Sequence, residues 1–204
     1  MKNSTIHNHS GDDGLNIKYG DVDIRDSTFI SNFSDQIDCD FCVGIFKNNK
    51  FFGGENSNGD GLDLSGSWVK VIENSFESFH DKGVSAGEKT RVLLVKNLIQ
   101  DSGIGVAVKD HSKSYLLDNS FKRNKVALSL YRKKPIFGGG HAWLLDNRFE
   151  SNNAKKKKDL DSSIKILDKS WFNKENEQIL KAIISKKIVN SLDYFDKLES
   201  FLKD

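Results

Sequence analysis

Acidic and basic side chains recur along this chain at a single spacing. Asp13, Asp35, Asp60 and Lys82 are separated by 22, 25 and 22 residues. Asn16, Asp38, Asp63 and Ser85 follow the same steps, as do Lys18, Asp40, Ser65 and Gly87, a series that runs on by 22 residues to Lys109 and again to Tyr131. One position later come Tyr19, Phe41, Gly66, Glu88, Asp110 and Arg132. If such residues stand in files about 5 Å apart, two carboxylates repel by about 0.8 kcal/mol in water and about 3 kcal/mol at an effective dielectric of about 20. Files of this kind need a counter-charge. A hard cation such as Ca²⁺, held by Asp38, Asp40, Asp63 and Asp60, is one source, because oxygen ligands suit it. The lysines are the other, with Lys82 next in the Asp60 file and Lys109 farther along. Lys109, Tyr131, Lys82 and Glu88 are the residue types that move protons, and Arg132, Lys133 and Asp110 stand beside them in the chain. A plainer use of the same groups is structural. Asp60, Lys82, Glu88, Lys109 and Asp110 would form an ion-pair ladder, and Asp35, Asp60 and Asp81 would make Asx turns at strand entries. Neighbouring acids raise a lysine's pKa, which favours that ladder over a lysine base.

Residues 22 apart act together only if the backbone returns to the same place at each step. Short apolar segments do return. Leu15, Ile37, Leu62, Val84, Val106 and Leu128 open one line with steps of 22, 25, 22, 22 and 22. Phe29, Phe51, Phe76, Ile99, Phe121 and Phe149 mark a second, and Asn49, Asn74, Asn97, Asn119 and Asn147 each precede one of its members by two residues. The alternating stretches between, such as Val69-Lys70-Val71 and Tyr115-Leu116-Leu117, have strand periodicity and are too short for helices. A unit of this length cannot bury its own apolar face, whereas stacked units can. The arrangement predicts parallel strands one coil above the next, with a phenylalanine file and an asparagine ladder, the asparagines adopting the left-handed conformation at the corners.

Composition is compatible with this and excludes other classes. The 204 residues carry 31 Lys and Arg against 29 Asp and Glu, so a net charge of +2 does not indicate a nucleic-acid binder. Fourteen phenylalanines fill a narrow core. No apolar run approaches the roughly 18 residues of a membrane span, and Met1 to His7 lacks the apolar segment of an export signal. Cys39 and Cys42 lie three residues apart, so on a strand their side chains leave on opposite sides and a disulfide requires a local turn; we expect the pair to be unbridged. His7 and His9 have metal-ligand spacing without a third ligand nearby in the chain.

The repeat resembles the right-handed parallel β-helix superfamily that contains pectate lyases, polygalacturonases and carbohydrate epimerases. More narrowly, Gly59 to Ser67, Asp81 to Glu88, Val108-Lys109-Asp110, Tyr131 to Pro135 and Gly138-Gly139-Gly140 resemble a bacterial β-helix group found beside spore-coat kinase-like and lamin-tail-like domains. The resemblance implies an all-β right-handed parallel β-helix solenoid of about seven turns over residues 1–168, and handedness agrees with the rule for parallel crossovers. It also implies an extended polymer, a polysaccharide and an acidic one, laid along an outward strand face. Inverting polygalacturonases place an Asp-Asp pair and a histidine where this chain has Asp81-Lys82 and Ile104, which disfavours hydrolysis by that route. A lyase or C5-epimerase would use a cation and a proton-transferring Lys109 or Tyr131. Trp68, Trp143, Tyr115 and Tyr131 would serve as sugar-stacking rings. The rival reading is a non-catalytic structural or adhesive module of a larger extracellular or cell-surface protein.

At the ends the pattern changes. Ser4-Thr5-Ile6 aligns with Ser27-Thr28-Phe29, so the chain opens within a turn and upstream turns or a partner chain are expected at that edge. Lys155 to Lys158 reads as a solvated loop, Ser163 to Leu167 as a last strand, and residues 169–204 as a helical cap over the C-terminal edge, since Ile179, Leu180, Ile183, Ile184, Ile188, Leu192, Phe195, Leu198 and Leu202 recur at helical spacing.

Overall fold

The computed structural model describes all residues except Asn56, 169–173, 186–190 and 203–204. The chain winds through seven coils, each made of three short strands, and equivalent strands stack into three parallel seven-stranded sheets. One sheet holds Asn16–Lys18, Ile37–Asp40, Leu62–Ser65, Lys82–Gly87, Ile104–Lys109, Val126–Tyr131 and Ala154–Lys158; it is called the groove sheet below. A second holds Asp21–Arg25, Val43–Lys47, Trp68–Ile72, Arg91–Val95, Lys113–Leu117, His141–Leu145 and Ser163–Ile166. The third, narrowest sheet runs from Thr5–His7 to Arg148–Glu150. Registers match the repeat: Ile37 pairs Leu62, Leu62 pairs Val84, Val84 pairs Val106 and Val106 pairs Leu128, and Thr5 pairs Thr28.

Inside, one continuous core runs the length of the solenoid, from Val22 and Ile24 to Ala142 and Leu144. Phenylalanine rings stack along it, Phe29 on Phe51 at 5.0 Å and Phe51 on Phe76 at 4.6 Å, and Ile99 takes the next place before Phe121. The asparagine ladder is continuous: each Nδ2 donates to the Oδ1 of the next, at 3.0 Å from Asn49 to Asn74, 3.1 Å from Asn74 to Asn97, 2.9 Å from Asn97 to Asn119 and 3.0 Å from Asn119 to Asn147. The left-handed corner lies one residue earlier than expected. Asn48, Glu73, Lys96, Asp118 and Asp146 have φ between 52° and 57°, leaving the asparagines free to turn inward and satisfy buried backbone.

Three expectations are corrected. Cys39 and Cys42 are bonded, with Cα atoms 5.8 Å apart. Phe41 between them is left-handed, and this tight corner returns Cys42 to the interior on the side from which Cys39 points. Lys155 to Lys158 belong to a strand, not a loop. Lys156 and Lys158 pair Leu128 and Leu130, so lysines occupy core positions at the last coil, where they are exposed and blunt the open sheet edge. The helices α1 (Lys174–Ser185) and α2 (Ser191–Phe201) are present, but they lie along the side of the solenoid instead of over its end. Leu180, Tyr194, Phe195, Leu198 and Leu202 pack on the outward residues of the second sheet, Ile72, Leu93, Val95, Tyr115, Leu117 and Leu145. Glu199 accepts from Lys113 Nζ at 2.7 Å and from Tyr115 Oη at 3.0 Å, and Lys70 Nζ donates to the Ile184 carbonyl at 2.9 Å. Among the described residues no helix is long and apolar enough to cross a membrane.

Candidate functional site

With the second sheet covered by helices, the groove sheet is the long strand face whose outward side chains remain polar. Its files form as the repeat requires. Asp13 Oδ1 accepts from Asp35 N at 3.1 Å, Asp35 Oδ1 from Asp60 N at 2.6 Å, and Asp60 Oδ1 from Lys82 N at 3.0 Å. These aspartates do not close turns on their own backbone; each caps the coil after its own. Asp38 pairs Asp63 and Asp63 pairs Ser85 in the neighbouring file.

Asp35, Asp38 and Asp63 bring one carboxylate oxygen each to within 4.8 Å of one another. Burial, reinforced by Asp60, Asp63 and Asp13, pushes the Asp35 carboxyl up to about 7, against an opposing backbone hydrogen bond. Burial and the charges of Asp40, Asp63 and Asp13 push Asp38 to about 6. Burial likewise raises Asp60 to about 6, although Lys82 pulls the other way. Asp63 Oδ1 and the Ser85 hydroxyl, successive in one file, are enclosed without a hydrogen-bond partner among the described residues. Of the residues expected to hold a cation, Asp38 and Asp63 are in this cluster. Asp40 is turned aside to Lys18 at 3.4 Å, and Asp60 is engaged by Lys82 Nζ at 3.2 Å. Asp35 joins this cluster although its place at a strand entry reads in the sequence as that of a turn former. Its signal was the file it shares with Asp13 and Asp60. His7 and His9 contribute to no such group among the described residues.

Lys82 and Lys109 differ. Burial lowers the Lys82 ammonium, but Asp60 and the hydrogen bond and charge of Asp81 outweigh it and hold Lys82 above the ordinary lysine range. Lys109, just as buried, has no such clamp. Burial first, then the like charges of Lys82 and Lys133, lower it despite Asp63 and Asp60. The expectation that acid neighbours raise both lysines therefore fails for Lys109, where desolvation wins. The Lys109 side chain lies over Gly87 of the preceding coil, where a Cβ would stand 3.4 Å from Lys109 Cε, an ordinary contact. Tyr131 pairs Lys109 in register, and burial raises its phenol against the pull of Lys82.

The remaining residues build a wall. Six residues more than the usual step separate Phe121 from Phe149, and the extra length forms the segment from Arg132 to Gly140. Asp110, 1% exposed, accepts from Lys133 N at 2.7 Å and Lys134 N at 2.8 Å, so its carboxylate holds this segment and is not turned to solvent. Glu88 pairs with Lys134, Arg132 with Asp161 at 3.2 Å, and His111 Nε2 accepts from Gly138 N at 2.8 Å. Lys133 stands exposed at the rim. Trp68, Trp143 and Tyr115 are on the other face: Trp68 and Tyr115 pack on Phe195, and Trp143 stacks on Tyr115.

The class follows from the coils and the stacked files. A family model for the right-handed β-helix region matches residues 1–179, and the chain belongs to that family. Among solved structures, the Azotobacter vinelandii mannuronan C-5 epimerase AlgE4 A-module is similar with a TM-score of 0.43 and 11% sequence identity, over 78% of this chain and 57% of that one. The chain thus spans little more than half the length of that module. A search of curated proteins returns no match.

Proposed function

We propose that the groove sheet binds an extended acidic polysaccharide and transfers the C5 proton of a uronate residue, with β-elimination or C5-epimerisation as the outcome. The observation that carries this is Lys109: a buried lysine with a lowered pKa, one coil from a tyrosine that keeps its proton. In this reading Lys109, in the amine form that its lowered pKa favours, accepts the C5 proton, and the negative charge that develops on the uronate carboxylate is met by Lys82, which its two aspartates hold cationic. In elimination the C4–O bond then breaks and the departing oxygen takes the Tyr131 proton. In epimerisation Tyr131 returns a proton to the opposite face of C5. Ca²⁺ bound by Asp35, Asp38 and Asp63 would neutralise the acidic half of the face and supply a further positive charge there. Arg132 and Lys133 flank the polymer, whereas Glu88 and Asp110 serve the wall. The Cys39–Cys42 bond supports an oxidising, extracellular or cell-surface setting.

The rival, a non-catalytic structural or adhesive module, draws on the pairing of Lys82, Glu88 and Arg132 with neighbouring charges. One experiment separates them. Polygalacturonate and polymannuronate are incubated with the protein and Ca²⁺ in heavy water, following deuterium at C5 by NMR and unsaturated uronate by ultraviolet absorbance. Deuterium at C5 or unsaturated uronate, abolished in Lys109→Met and retained in Lys50→Ala, an exposed lysine on the third sheet, is expected. Saturable binding of either polymer with neither exchange at C5 nor unsaturated uronate would establish the non-catalytic module instead.

A further inference from the structure

The first two coils of the groove carry side chains for which the fold has no use. Each groove strand from the first to the fifth ends at a left-handed corner, made in turn by Tyr19, Phe41, Gly66, Glu88 and Asp110, with φ between 54° and 59°. Glycine and short polar residues suit that conformation and bulky rings do not. Burial does not repay the choice at Phe41, which is 47% exposed although it lies between Tyr19 and Gly66 of the coils on either side. The two rings lie parallel, 4.8 Å apart with 7° between their planes. Phe41 rests in turn on Gly66, where a Cβ would come within 2.6 Å of its ring. Strain, exposure and a glycine that clears the way converge on one flat, rigid apolar platform.

Its surroundings say what it would take. Lys18 and Asp40, which form an ion pair, directly precede the two rings in the chain, and Asn16 donates to Asp38 across the same two coils. A small apolar plane edged by hydrogen-bond donors and acceptors matches a pyranose, which offers a face of C–H groups and a rim of hydroxyls. A membrane or an amphipathic helix would have to desolvate that ion pair at the margin of so small a patch. We propose that Tyr19 and Phe41 form a sugar-stacking subsite at the end of the groove opposite Lys109, occupied by a distant residue of the same polysaccharide. The proposal rests on the polysaccharide reading given above. Four coil steps separate the Tyr19 strand from the Lys109 strand, roughly 19 Å at the inter-strand spacing, so only a long oligomer reaches both.

The test is calorimetric binding of an oligogalacturonate octamer and dimer, in Ca²⁺, to the native chain and to the double variant Tyr19→Asn with Phe41→Asn. Asparagine keeps the left-handed corners and removes the rings; Tyr19→Phe is the control that keeps the platform. The octamer is expected to bind the native chain more tightly than the dimer, and the double variant to lose about tenfold in octamer affinity with dimer affinity unchanged. Tyr19→Phe should bind both like the native chain. Undiminished octamer affinity in the double variant would overturn the subsite and leave the groove reading standing. Failure of the native chain to bind either oligomer would overturn both. Loss of self-association in the double variant, with octamer affinity intact, would assign the rings to a second copy of the chain and likewise overturn the subsite.

Discussion

Leu93 and Tyr115 on the second sheet and Ser85 and Asp63 on the groove sheet all point outward from the same solenoid. The first two are as buried as any core residue, because Phe195 and its helices cover them. The second two hold oxygens with no hydrogen-bond partner among the described residues, beside carboxylates that burial pushes toward neutrality. The inward pattern is common to both faces, so it does not explain the difference. One face has spent its outward positions on apolar contact. The other carries at Asp38 a desolvated carboxylate that takes no part in the coil capping done by Asp13, Asp35 and Asp60, and charge placed at such a cost marks where binding or chemistry belongs.

The sharpest way to break the comparison is to remove apolar contact from the covered face. Phe195→Ala deletes a fully buried ring that meets Trp68, Tyr115 and Tyr194. It is expected to cost about 3–5 kcal/mol, read as a fall in the urea midpoint with C5 exchange per folded molecule unchanged. Equal loss of exchange would mean that the two faces are not independent. A smaller effect is expected at the wall of the groove. Asp110→Ala removes a buried carboxylate that accepts two backbone N–H groups, at about 1.5–3 kcal/mol. Hydrogen exchange should quicken in residues 132–140 while the asparagine ladder stays protected; uniform quickening would show that Asp110 supports the whole solenoid and not its wall.

What the chain made legible follows the same division. Steps of 22 residues fixed coil number, register, the phenylalanine file and the asparagine ladder, since strand stacking depends on spacing alone. Spacing did not reveal where the helices would dock, because α1 and α2 have an apolar stripe whatever they cover. It also misplaced Lys155 to Lys158: charge argued for a loop, but the register with Val126 to Leu130 overrode it. In the groove, the files of Asp13, Asp35, Asp60 and Lys82 were legible. The fates of Lys82 and Lys109 were not, because desolvation against a nearby carboxylate is decided by distances of a few ångströms that no spacing specifies. Cys42 likewise turned inward through the left-handed Phe41, a corner that a three-residue interval leaves open.

The groove's desolvated acids also give the face a pH signature. Free aspartate ionises near about 3.9, whereas Asp35 is held at about 7 and Asp38 and Asp60 at about 6. The folded chain therefore binds more protons than the unfolded one between those limits. Each of the three contributes least destabilisation below about pH 4, and that destabilisation grows as pH rises and levels off above about 7. The raised Lys82 acts only in the alkaline range and leaves this window untouched. The urea midpoint is expected to fall from pH 5 to pH 8. Asp35→Asn should flatten part of that fall, since an amide oxygen still accepts from Asp60 N without acquiring charge. Added Ca²⁺ should raise the midpoint at pH 8 more than at pH 5, because protonated carboxyls are poor ligands. A midpoint that rises with pH in the native chain would mean that these carboxylates are stabilised by their neighbours, and the distinction between a satisfied face and a strained one would fall with it.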